Sequence, residues 1–106
     1  MDGKIIVLVT CESKQQAEHL AQTLVSEKLA ACVNVVPGIR SCYVWEGKLN
    51  WSEEFLLVIK TVSDRYSELE QKVRTLHSYS VPEIVAVPIV AGFEKYLKWV
   101  DDSTVR

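Results

Sequence analysis

Apolar positions along the chain follow two rhythms, one suited to buried strands and one to amphipathic helices. Lys4 to Cys11 (KIIVLVTC) is almost wholly apolar and rich in β-branched residues, which predicts a strand in the middle of a sheet, covered on both faces. Ser13-Lys14-Gln15-Gln16 is a capping-box pattern. Ala17, Leu20, Ala21, Leu24 and Val25 then recur with helical spacing, and Leu29 extends the same face, so a helix should end near Leu29 or Ala30. Cys32 to Trp45 reads as a strand interrupted by Pro37-Gly38, where a bulge or bend is expected. Glu46-Gly47 predicts a tight hairpin turn, and Lys48 to Thr61 returns as the partner strand. Ser63-Asp64 offers an N-cap for a second helix marked by Tyr66, Leu69, Val73 and Leu76, with Glu68/Lys72 and Glu70/Arg74 as supporting pairs. That helix should stop by His77 or Ser78. Glu83 to Val90 is another strand of buried type, with Pro88 marking a bulge or a sheet edge. Beyond Gly92, Phe93, Tyr96, Leu97 and Val100 mark a short last helix, and Asp101 to Arg106 reads as a frayed polar tail.

The order β-α-β-β-α-β-α predicts an α+β fold. Two split βαβ units around a central hairpin give a ferredoxin-like sandwich, with helices on one face of a four-stranded antiparallel sheet. The hairpin is too long for such a domain. Arms of about 14 residues at roughly 3.3 Å each reach about 45 Å, whereas a compact chain of this size has a radius of gyration near ~13 Å. The hairpin must bend or project, and its far end carries Tyr43, Trp45 and Trp51. Aromatic rings on a solvated tip form the kind of patch that another subunit covers; the alternative is that they fold back on their own sheet.

Composition narrows the class. The chain has 106 residues, 48% hydrophobic and 25% charged, enough for one core and one domain, residues 1–106. Lys and Arg number 12 against 14 Asp and Glu, which argues against a large nucleic-acid footprint. No apolar run approaches membrane-span length, and the N-terminal residues show no signal peptide. Cys11, Cys32 and Cys42 have neither the parity nor the spacing of a disulfide framework or zinc knuckle, so a reducing, cytoplasmic setting is the simplest.

Several segments together carry a resemblance. Leu29-Ala30-Ala31-Cys32-Val33-Asn34, Pro37-Gly38, Tyr43-Val44-Trp45-Glu46-Gly47-Lys48 and Ile59-Lys60-Thr61 are followed by His77-Ser78-Tyr79-Ser80-Val81-Pro82-Glu83-Ile84 and Tyr96-Leu97-Lys98-Trp99. In order and spacing, across essentially the whole chain, they resemble the CutA divalent-cation tolerance family. The family usually has proline where Ser78 stands. The resemblance implies a ferredoxin-like homotrimer in which long hairpins pair between subunits, an architecture similar to the PII signalling trimers. It also implies weak binding of Cu(II) or another divalent cation, and no agreed enzymatic activity.

The resemblance also offers His77 and Cys32 as metal contacts, since imidazole and thiolate suit copper and zinc. A first-strand cysteine of some members aligns with Val9, with Cys11 two residues on, and a second histidine aligns with Leu76, so part of the family's proposed ligand set is absent. Cys32 is otherwise a small buried hydrophobe, and His77 a loop-stabilising hydrogen-bonding group. The loop from His77 to Glu83 concentrates titratable groups. At an intersubunit cleft His77, Tyr79 and Glu83 could line a pocket, with Lys60 reaching in; alternatively the segment is a plain helix-to-strand connection. His19 falls off the apolar stripe and reads as a surface residue. Glu53-Glu54, adjacent on a strand, point to opposite faces and form no acid/base dyad. No phosphate-cradling glycine loop or nucleophile–base pair is legible. The expected function is therefore a homotrimeric, non-catalytic copper-binding or cation-tolerance protein. The alternative is a PII-like trimer binding a small anionic metabolite or nucleotide in its clefts.

Overall fold

The computed structural model describes residues 3–105. Its elements are β1 (Lys4–Cys11), α1 (Lys14–Ser26), β2 (Cys32–Trp45), β3 (Lys48–Val62), a single 3-10 turn (Ser63–Arg65), α2 (Tyr66–Leu76), β4 (Ile84–Pro88) and α3 (Glu94–Thr104). The sheet has four strands in the order β2-β3-β1-β4, every neighbouring pair antiparallel. This is the order that two split βαβ units demand. Alternate residues of the central strands, Val7, Val9 and Cys11 with Leu57 and Ile59, pack on Ala17, Leu20 and Leu24 of α1 and on Leu69 and Val73 of α2. A smaller cluster of Ala31, Val62 and Val100 seats α3.

The local signals explain most boundaries. The Ser13 side chain accepts from the Gln16 amide and starts α1. The Pro37-Gly38 bulge is present: the β2–β3 register shifts between Val36 and Ile39, and Gly38 sits at φ +73°. Glu46 and Gly47 both take positive φ, as a type I′ hairpin turn requires. Pro88 ends β4, which is an edge strand.

Four expectations are corrected. First, α1 ends at Ser26, short of Leu29. Lys28 turns left-handed at φ 61°, the Lys28 amide donates to the Val25 carbonyl and the Leu29 amide to Leu24, a Schellman closure that folds Leu29 back onto the core. Second, Ser63 and Asp64 form the 3-10 turn, and α2 begins after it with no side-chain cap. Third, the tail is not frayed through Thr104. Asp101 pairs with Lys4 at 2.6 Å, the Arg65 Nε donates to the Thr104 carbonyl, and Thr104 is buried; Arg106 lies outside the described residues. Fourth, β1 and β4 are not covered on both faces within one chain. Ile6 and Leu8 are half-buried, and Val85 and Val87 are exposed.

The hairpin projects past the rest of the sheet. β1 reaches only as far as Phe55 of β3, so β2 from Ile39 and β3 up to Glu54 pair with each other alone. The described chain measures 45 × 25 × 21 Å. At the far end Trp45 is 59% and Trp51 58% exposed, and Tyr43, Val44 and Leu49 are exposed beside them.

Candidate functional site

The loop from His77 to Glu83 crosses the end of β1 where Thr10 and Cys11 lie. Its geometry begins at the last turn of α2, where the His77 amide donates to the Val73 carbonyl. The ring then turns inward and is 8% exposed. His77 Nε2 lies 2.7 Å from the Thr10 carbonyl, and the Tyr79 amide donates to Nδ1 at 3.0 Å. A carbonyl only accepts, so Nε2 carries the proton and Nδ1 supplies the lone pair. Both ring nitrogens are therefore in use, and a cation approaching Nδ1 would have to displace the Tyr79 amide.

Tyr79 stacks obliquely on this ring, 4.8 Å between centroids, and its hydroxyl donates to Glu54 Oε2 at 2.8 Å. Burial pushes the Tyr79 phenol well above its usual range, and the Glu54 hydrogen bond and charge push it further. Burial, helped by the charge of Glu54, pushes the Cys11 thiol up to about 11. Cys11 therefore stays a protonated thiol near neutral pH and is a poor ligand or nucleophile. Gln16 ties the loop to α1: its Nε2 donates to the Leu76 carbonyl at 3.3 Å, and it accepts from the Ser78 hydroxyl at 3.0 Å. Ser78 thus supplies a side-chain tether where a proline would supply a fixed φ. Glu83 is exposed at the loop's end.

Cys32 and Lys60 lie elsewhere. They are cross-strand partners, and Lys60 faces Ile6 on β1, four rungs from Thr10. With two strand spacings added, Cys32 is roughly 15 Å or more from the Thr10 rung that His77 caps. One chain therefore brings His77, Tyr79 and Glu54 together and keeps Cys32 and Lys60 apart from them. Around Cys32 stand Lys60, whose Nζ meets Asn34 Oδ1, and Tyr96, whose phenol is pushed up by burial and by the nearby thiol. Tyr96 is followed by Trp99, 5.7 Å away ring to ring. Among the described residues no group of three or more His, Cys, Asp and Glu side chains could hold a metal ion. His19 is exposed, as expected of a surface residue.

Sequence reasoning missed Glu54 and Gln16. The adjacent pair Glu53-Glu54 does diverge, Glu53 exposed and Glu54 buried. The available signal was a carboxylate at the threshold of the apolar run Phe55 to Ile59.

The comparisons with known proteins agree with this architecture. The family described as CutA1 divalent ion tolerance protein matches residues 5–103. The chain belongs to the CutA1 divalent ion tolerance family. The divalent-cation tolerance protein CutA of Thermus thermophilus is 46% identical, over 93% of this chain and 96% of its own length. The chloroplastic protein CutA of Arabidopsis thaliana is 48% identical over 94% of this chain, which spans only 55% of that longer relative. The crystal structure of CutA1 from Oryza sativa superposes with a TM-score of 0.95 at 48% identity, covering 97% of this chain and 94% of that one. CutA1 relatives are thus named for cation tolerance and not for a reaction.

Proposed function

We propose that this chain is a non-catalytic divalent-cation tolerance protein that acts as a homotrimer in the cytoplasm and makes weak contact with Cu(II) or another divalent cation. The observation that carries this reading is the projecting hairpin. A two-stranded ribbon in water is marginally stable at best, and this one presents Tyr43, Val44, Trp45, Leu49 and Trp51 to solvent. Subunits laid against one another would cover these rings together with the exposed valines of β4. Cys11, Cys32 and Cys42 are free thiols, which suits a reducing compartment.

The cation reading rests on family membership and on donor chemistry. His77 and Cys32 are the candidate contacts, and their separation means that a shared ion would sit where copies meet. The competing hydrogen bonds on His77 account for weak binding. Sedimentation velocity should show a trimer. Calorimetric Cu(II) titration should show weakened binding in His77→Ala and in Cys32→Ser relative to wild type. A compact monomer would defeat the assembly, and unchanged affinity and stoichiometry in both variants would remove these residues from cation contact.

A further inference from the structure

Among the described residues, the two charges on β3 that are drawn out of water, Glu54 and Lys60, have no counter-charge in an ion pair. Glu54 is 7% exposed, and the hydrogen bond shown to its carboxylate comes from the neutral Tyr79 hydroxyl. No ion pair to it is present among the described residues. A buried carboxylate without a cation is costly. The groups against it supply no cation, since Cys11 and Tyr79 beside it are neutral acids near neutral pH. Six residues along the strand, the half-buried Lys60 ammonium meets the neutral amide oxygen of Asn34, again with no ion pair among the described residues. At about 3.3 Å per residue the two positions are about 20 Å apart on a regular strand, too far to meet in one chain.

We propose that Lys60 of one copy pairs with Glu54 of the next. The inference rests on the self-assembly reading and deepens it, because each junction completes a pocket that neither copy holds alone. Lys60 brings Cys32, Asn34 and Tyr96 with it, while Glu54 brings His77 and Tyr79. The ammonium gives the buried carboxylate its missing cation, and the Tyr79 hydroxyl keeps the second hydrogen bond. A head-to-tail contact of this kind satisfies every Glu54 and every Lys60 only when the assembly closes into a ring.

The test is charge reversal read by sedimentation velocity, with far-UV circular dichroism to check folding. Lys60→Glu and Glu54→Gln should each weaken self-association by roughly two orders of magnitude, because one charge is then left buried and unpaired. The double variant Glu54→Lys/Lys60→Glu should restore it, and Glu18→Gln, on the exposed side of α1, should leave it unchanged. If the double variant does not fold, carbodiimide cross-linking of mixed isotopically light and heavy wild-type chains decides. The expected product is a Lys60–Glu54 link joining light to heavy, and its absence overturns the pairing. A wild-type assembly indifferent to Lys60→Glu and Glu54→Gln overturns the pairing while leaving self-assembly standing. A monomeric wild type overturns both.

Discussion

At the scale of single residues, the Tyr79 hydroxyl and the His77 ring each hold two segments together, the loop and a central strand. Tyr79→Phe keeps the ring and removes the donor to Glu54. It should lower stability by about 1–3 kcal/mol, the cost of leaving a buried acceptor unsatisfied, measured as a shifted urea midpoint at constant slope. The same corner sets an alkaline limit. Cys11 binds its proton more tightly folded, at about 11, than in its ordinary state at 9.0. The unfolded chain therefore loses this proton first as pH rises. The contribution is intact below pH 9.0 and is lost as pH climbs through about 11, at a slope of about 1.4 kcal/mol per pH unit. Tyr79, raised in the same direction, extends the loss to higher pH. Denaturation of Cys11→Ala across that window should show a visibly flatter decline than wild type. A decline equally steep in the variant would place the alkaline weakness elsewhere.

At the scale of elements, what could be read from sequence was what local chemistry dictates. Ser13 starts α1 through its side-chain hydroxyl, and Pro37-Gly38, Gly47 and Pro88 impose a bulge, turn or edge through their backbone preferences, each as the fold has it. The end of α1 was not legible because its left-handed position is filled by Lys28, not by glycine, and Leu29 continues the apolar periodicity past the helix it no longer belongs to. Glu54 and Gln16 were hidden for a different reason: their partners, Tyr79 and the Leu76–Ser78 segment, are distant in sequence and meet them only when the sheet is built. Two substitutions follow from the backbone. Lys28→Gly relieves the left-handed strain and should stabilise the protein by about 0.5–1 kcal/mol in thermal or urea unfolding, net of glycine's greater unfolded entropy. Gly38→Ala meets open space, with no atom within 4 Å of the added methyl, yet sits at φ +73°. It should cost about 1 kcal/mol from backbone strain alone, and a neutral result would mean that the bulge relaxes.

At the scale of the whole molecule, the half-covered sheet and the projecting ribbon belong to one problem. Helices α1 and α2 seal one face, while the other keeps Val85, Val87, Tyr43 and Trp45 in water. A chain that buries these groups only on association gains stability from every copy it meets. Its unfolding midpoint must then depend on concentration, because dilution favours separated chains by mass action. Thermal unfolding followed over a hundredfold range of protein concentration should show a midpoint rising by several degrees for wild type. The replacement Trp45→Ser removes an aromatic group from the proposed interface without touching the cluster under α1 and α2. It should lower the midpoint at high concentration and flatten its dependence, and it should leave the isolated chain's stability within about 0.5 kcal/mol of wild type, as for other surface substitutions. If Trp45 instead stabilised the ribbon within its own chain, the midpoint would fall equally at every concentration.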